Sequence, residues 1–479
     1  MKNRNFELMV IGGGAAGLVA SVAAGAIGVK TVLVEKNRLG GECSWTGCIP
    51  SKTLISLGNL IHKANHLPLK KKKKNAITIP FEDYKNQVMD YVRETTRNAS
   101  KASKARDLLT RYGVEIIFGS PKFLDHHHIE IDKLNYYAKK FIICTGSSPV
   151  VPKINGLRRG YLTNQTIWKL KKLPDSLLVI GGGPIGVELA QAFHHLGTRV
   201  TLFNDLNRLL IHDDTELAED LTKYLENEGL KINLNYSVSK IIKDEKGWRV
   251  SMKDNKNISE PGEHLLIALG RKANVEDLHL EAADILYERK GIKVNHHLKT
   301  SAPNIWAAGD CIGSYQFSHI AELEAKLAVR NALLPLNSSI NYQGAPWTTF
   351  TEPELAHLGY TEEECREKGL NYRVYRQSFE NDDRAITEGT AFGKVKILTT
   401  ALGHLLGVHI LGPRAGELIN EFVLAKRKKL KIYDIGLTSH VYPTLGLALQ
   451  RATDEWFADW GSKPMIKWLL KLMTYLSFY

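Results

Sequence analysis

The chain has 479 residues, 43% hydrophobic and 24% charged, with a formal charge of 64 − 51 = +13. That composition is globular, and the length allows about three domains of usual size. Five cysteines exclude a secreted disulfide scaffold, and the basic excess brings anionic partners into consideration without speaking to fold.

The basic start Met1-Lys2-Asn3-Arg4 and the small, apolar run from Leu8 to Val29 imitate a signal peptide. The run fits a strand, a glycine turn and a helix start better. Gly12, Gly14 and Gly17 form G-x-G-x-x-G, which lets backbone approach a pyrophosphate at a helix N-terminus. A second strand, 31–34, ends in Glu35, where a carboxylate can bind a ribose hydroxyl. No secretion signal is expected.

The stretch from Gly40 to Lys52 holds Cys43 and Cys48, with Gly47 before the second thiol and Pro50 two residues after it. Proline suits the first turn of a helix, and a thiol near a helix start is drawn towards thiolate. Lys52 adds a cation. Two buried apolar cysteines are the plainer reading, but these flanks favour a pair cycling between disulfide and dithiol.

From Leu54 to Ala105 the pattern is mostly helical, interrupted at Pro68 and at Lys70 to Lys74, which read as a solvated loop, with a contact to acidic lipid or nucleic acid as the alternative. No aromatic platform or nucleic-acid motif accompanies them, so no nucleic-acid partner is expected. His126-His127-His128 falls between short β-like runs, a turn rather than a metal site, and no metal-type spacing joins the scattered cysteines. The run 141–146 reads as a buried strand ending in a glycine turn at Thr145 and Gly146.

The opening pattern returns at Leu178, with Gly181, Gly183 and Gly186 in the same spacing. One such motif is weak evidence; two, each closing a strand and opening a helix, are much stronger. The next strand, 199–203, ends at Asn204, at the same offset from Gly181 as Glu35 from Gly12. Two dinucleotide folds in tandem are expected. Further on, 265–271 and 304–310 read as strands, the second capped by Gly309-Asp310, and antiparallel strands follow Pro346.

Taken together, these segments resemble a class I pyridine nucleotide–disulfide oxidoreductase along essentially the whole chain, closest to its mercuric reductase-like branch. The resemblance implies an α/β fold of two tandem Rossmann-like domains plus a C-terminal α+β dimerisation domain. The segments are 1–148 (FAD-binding, first part), 149–271 (NAD(P)-binding), 272–344 (FAD-binding, central part), 345–462 (interface) and 463–479 (amphipathic tail). It implies FAD on Gly12, Gly14, Gly17, Glu35 and Asp310, with Lys52, Gly119, Thr145, Gly146 and Ala321 also at the cofactors. NAD(P)H would lie on Gly181, Gly183, Gly186, Asn204 and Gly270. Cys43 matches the interchange thiol that attacks the acceptor and Cys48 the charge-transfer thiol beside the flavin, while Lys52 and Glu188 match an ion pair near it. Reduced nicotinamide would reduce FAD, and FAD the disulfide. A homodimer would complete the active site.

Departures from the family pattern set the subclass. The interface motif H-x-H-P followed by Glu reads His440-Val441-Tyr442-Pro443 here, with Leu447 in place of Glu. Tyr442 thus replaces the acid–base His; a phenol with an ordinary pKa of about 10 moves thiol protons poorly at neutral pH, and losing such a catalyst costs about 10²–10⁴-fold. His440 matches the non-catalytic first His. A vicinal cysteine pair at the C-terminus and a metal-binding domain before Met1, which authentic mercuric reductases use, are not expected here, so the resemblance implies the mercuric reductase-like branch more than Hg(II) reduction itself. Glu42 stands where the family usually has Thr, near the FAD phosphates, where only a carboxylate turned to solvent fits. Asp205 after Asn204 repels a 2′-phosphate, favouring NADH, with Arg208 or Arg199 as the groups that could reverse this.

The expected protein is a cytoplasmic, dimeric, FAD-dependent NAD(P)H oxidoreductase delivering electrons to a soft metal ion, a quinone or a small disulfide. The alternatives are dihydrolipoamide dehydrogenase and, from another class, a membrane- or nucleic-acid-associated binding protein that keeps the fold without turnover. In the tail, Lys463, Lys467 and Lys471 recur every four residues among apolar and aromatic ones. Fifteen residues follow Pro464, too few for the roughly 20 that span a bilayer. A helix lying in a membrane interface and a helix packed on the interface domain both fit, and the chain's basicity favours the former.

Overall fold

The computed structural model describes residues 4–65, 81–99, 102–252, 259–335 and 337–477. The lysine run at 70–74 lies outside them. Two compact units result: Met1–Gly181 with Ala192–Phe203 and Ser237–Ile340, and Gly182–Gln191 with Asn204–Tyr236 and Asn341–Tyr479.

The first unit is built on a seven-stranded sheet. Strand β1 (Asn5–Ile11) leads through helix α1 (Ala15–Ala26) to β2 (Thr31–Glu35), paired parallel to β1 with Val10 opposite Leu33 and Ile11 opposite Val34. Both strands are nearly continuous apolar runs because the parallel sheet is covered on both faces. On the other side of β1 lies Leu134–Ile143, also parallel, and Ile305–Ala307 pairs parallel with that strand. The ends of β1, β2, 134–143 and 305–307 therefore meet at one edge, where α/β sheets bind ligands. Helix Ser318–Leu333 lies against α1 through small residues; Ala20, Ala24, Ala325 and Ala328 are fully buried. His126 and His127 form a bend before the strand His128–Ile131, and Asp125 Oδ1 accepts from the backbone N–H groups of His127 and His128. The second glycine motif repeats the plan: Ser176–Ile180 pairs parallel with both Arg199–Phe203 and His264–Ile267.

The second unit carries a five-stranded antiparallel sheet in the order Pro346–Thr349, Glu354–Gly359, Leu405–Gly412, Lys394–Thr399, Arg373–Ser378. Helix Gly446–Ser462 lies on its last two strands and buries Leu449, Ala452 and Trp456 against Ile397 and Phe422. Lys396, 2% exposed, meets Asp214, Glu216 and Glu362 at 2.8–3.0 Å, so this buried ammonium is fully matched by carboxylates.

Asp213 is also buried and accepts from the Trp347 indole N–H at 2.9 Å. Burial pushes this carboxyl up to about 7. A raised carboxyl stabilises the fold below its unfolded value near 4, and that contribution is lost as pH rises through about 7. Asp213→Asn, which keeps the oxygen facing Trp347, is expected to gain stability relative to wild type between pH 4 and pH 8, by at most about 4 kcal/mol. Urea unfolding at both pH values checks this; an identical difference at the two would show that Asp213 does not titrate in the fold.

Candidate active site

The turn after β1 depends on glycine. Gly12 has φ +106°, and a Cβ there would stand 2.3 Å from the carbonyl oxygen of Cys144; one on Gly17 would stand 1.7 Å from that of Gly12. Gly14 precedes α1 without a side-chain cap, which leaves the first N–H groups of the helix open to a ligand. Glu35, at the end of β2, accepts from Gly13 N at 2.6 Å and Asn37 N at 2.7 Å, so its carboxylate is fixed beside the turn. Gly12, Gly13, Gly14, Glu35 and Asn37 line a cavity of about 500 Å³, shared with Thr145, Gly146, Ser147, Arg271, Asp310 and Ala321, while Gly17 packs beneath the turn outside the lining.

At its Asp310 end, Gly309 N donates to Glu324 at 2.7 Å, Ser147 Oγ donates to Asp310 at 2.5 Å, and the Arg271 Nε–H donates to Ser147 Oγ at 2.7 Å. A glycine floor no side chain could share, an uncapped helix start, a fixed acid at the ribose-reading position and a second acid, Asp310, on the same cavity fit a dinucleotide such as FAD. Gly119 lies outside this lining; its N–H donates to the Glu35 carbonyl at 3.0 Å.

The thiol loop crosses this turn directly. Gly41, at φ +59°, comes so near Gly14 that a Cβ would stand 2.7 Å from the Gly14 Cα. The chain then forms the short helix α2 (Gly41–Trp45), carrying Cys43, and enters α3 (Cys48–Asn65), whose first residue is Cys48. A Cβ on Gly47 would stand 3.2 Å from the Cys43 Cα, so the chain between the thiols folds back tightly. Cys43 lines the cavity and both thiols are half-buried and unbridged. The hydrogen bond to Cys48, with burial second, raises the Cys43 thiol far above its ordinary value. The N–H groups of the α3 start lie at Cys48. Cys48 Sγ is also 3.8 Å from Ser318 Oγ. Lys52, half-buried, follows one turn along α3.

Glu42 corrects an expectation. Its carboxylate does not turn to solvent; it pairs with Arg271 and accepts from Gln165, with Asn164 at 3.5 Å. Arg271, Ser147, Gln165 and Ser318 were not singled out from the sequence.

The second motif repeats the first in detail. Gly181, at φ +122°, would set a Cβ 2.3 Å from the carbonyl of Ala268, and Gly270 has φ +94°. In the other unit, Gly183 has open space around it and Gly186 lies on helix Pro184–His195. Asn204 accepts from Gly182 N at 3.2 Å, as Glu35 does from Gly13, and donates to the carbonyls of Leu206 and Arg208. Arg208 spends its guanidinium on the carbonyls of Leu210, Ile211 and Asp213 and on Glu363 at 3.4 Å. Its guanidinium is thus held by its own loop. Glu188 is buried and accepts from Phe350 N at 2.9 Å. Tyr442, 68% exposed, precedes Pro443 through a cis peptide bond. His440 faces Glu421 at 3.1 Å and the Thr438 carbonyl at 2.9 Å.

Comparison with known proteins agrees along almost the whole chain. The model of the pyridine nucleotide-disulphide oxidoreductases matches residues 6–325, and that of their dimerisation domain matches 345–453. A mercuric reductase of Bacillus cereus is 34% identical over 94% of this chain and 71% of its own. A dihydrolipoyl dehydrogenase of Thermus scotoductus is 33% identical over 94% and 97%. Among solved structures, the HOCl-induced flavoprotein disulfide reductase RclA from Escherichia coli matches with a TM-score of 0.83 and 27% identity, over 94% of this chain and 99% of that one. Its Cu(II) complex matches with the same TM-score.

Proposed function

Because the chain belongs to the pyridine nucleotide-disulphide oxidoreductase family, a family of flavoprotein enzymes, we propose that it uses NADH to reduce a soft metal ion through Cys43 and Cys48. FAD and a nicotinamide nucleotide are the cofactors characteristic of the family, and bound flavin supplies two-electron transfer between nicotinamide and disulfide. Gly12, Gly14, Gly17, Glu35 and Asp310 would hold it. Cys43 takes the place of the interchange thiol, which meets the acceptor as a thiolate once its proton has left; Cys48, at a helix start, takes that of the thiol beside the flavin. In each cycle two electrons and two protons convert the disulfide to the dithiol; one Hg(II) or two Cu(II) ions then take the two electrons, the two protons leave to solvent and the disulfide is restored.

The observation that carries the choice of acceptor is the exposed tyrosine, Tyr442, at the position of the acid–base histidine. Oxidising a dithiol substrate requires removing thiol protons, whereas a soft metal ion takes thiolate ligands and electrons without a proton shuttle to the substrate. The names of two relatives, mercuric reductase and a reductase with a Cu(II) complex, agree with such an acceptor. Quinones and small disulfides come next. The enzyme works as a cytoplasmic homodimer.

NADH oxidation with Hg(II) or Cu(II) is expected to exceed dihydrolipoamide oxidation with NAD⁺ in kcat/KM by about 10²-fold or more. Efficient dihydrolipoamide turnover would replace this reading with dihydrolipoamide dehydrogenase. With Asn204 and Arg208 held by their own loop and Asp205 beside them, NADH is expected to surpass NADPH by roughly tenfold, the equivalent of about 1.4 kcal/mol. Steady-state kinetics with both nucleotides decide it, and a higher kcat/KM with NADPH would contradict it.

A further inference from the structure

The C-terminal helix Pro464–Ser477 is 14 residues long and begins beyond residue 453, where the match to the dimerisation domain ends. It follows helix Gly446–Ser462 through Lys463, whose extended backbone breaks the two apart, and it is exposed along nearly its whole length. Trp468 is 62% exposed, Met473 65%, Tyr475 63% and Leu476 63%, an unusual cost for a helix left in water.

We propose that this helix is a surface anchor for an anionic lipid bilayer. Three observations favour lipid over a second protein surface. At 100° per residue, Lys463, Lys467 and Lys471 fall within roughly 80° of arc, and the aliphatic residues with Met465 and Met473 fill most of the rest. Trp468 and Tyr475 stand at the border between the two, where amphipathic rings sit at headgroup level. From residue 460 onward there is no acidic residue, so the lysine face is purely cationic. The helix spans roughly 21 Å, short of the roughly 30 Å hydrocarbon core, and among the described residues no helix is long and apolar enough to cross a membrane. It therefore lies in the interface plane.

The test uses the full-length holoenzyme and co-sedimentation with phosphatidylcholine vesicles, with and without 30% phosphatidylglycerol. Wild type is expected to bind the anionic vesicles. Lys467→Gln/Lys471→Gln is expected to lower that partitioning roughly thirtyfold, with NADH-dependent turnover in solution unchanged. Leu472→Asp, on the apolar arc, is expected to abolish binding while the protein stays dimeric. No binding by wild type, or equal binding by wild type and the lysine variant, overturns the proposal. So does a Leu472→Asp protein that becomes monomeric, since the helix would then belong to the dimer interface.

Discussion

Cys43→Ser and Cys48→Ser are each expected to lower NADH-dependent reduction of the best acceptor by on the order of 10³-fold or more, while the purified proteins keep their FAD. A hydroxyl cannot form or exchange a disulfide, so either change breaks the route at one sulfur. The cofactor cradle is made elsewhere, by Gly12 to Ala16, Glu35 and Asp310, and neither substitution adds volume to it. Wild-type turnover in both variants would mean that electrons pass from flavin to acceptor without the thiols.

Gly12→Val is the substitution expected to remove the flavin itself. Gly12 combines φ +106° with only 2.3 Å between the place a Cβ would take and the Cys144 carbonyl oxygen, so a β-branched side chain meets both strain and collision. The turn must move, and with it the N–H groups at the start of α1. Flavin content of the purified protein is expected to fall below about a tenth of wild type, with a stability loss of at least about 3 kcal/mol in urea unfolding. Gly28→Ala is the control. Gly28 has φ +79° but open space around it, so only backbone strain of about 1–2 kcal/mol is expected and flavin should be retained. Equal flavin content in the two variants would show that the Gly12 turn is not the cofactor cradle.

Both glycine turns, the thiol loop and the tail helix were legible in the sequence because each is local. Close backbone approach demands glycine at fixed short spacing, and a helix start demands little beyond a proline and a few following residues. Asp310 was reached only through the family resemblance, since a Gly-Asp after a short strand has many uses. The partners of Glu42 were not legible at all. Arg271 lies 229 residues away in sequence, and no periodicity announces that a carboxylate beside one turn will meet a guanidinium after another strand. The same holds for Asp213, whose donor Trp347 is 134 residues distant. Asn204 was readable as the counterpart of Glu35, but not its full commitment to the Gly182, Leu206 and Arg208 backbone, which depends on how the 204–210 loop folds back.

Counting thiols in denaturant before and after anaerobic reduction tests the proposed disulfide relay most directly. The chain has five cysteines, of which Cys144, Cys311 and Cys365 are buried. The oxidised enzyme is expected to show three titratable thiols per chain, and five after NADH has been consumed to completion with no acceptor present. In Cys43→Ser the count should be four both before and after. An unchanged count in wild type, with NADH oxidised and flavin reduced, would contradict the relay and leave Cys43 and Cys48 as bystanders.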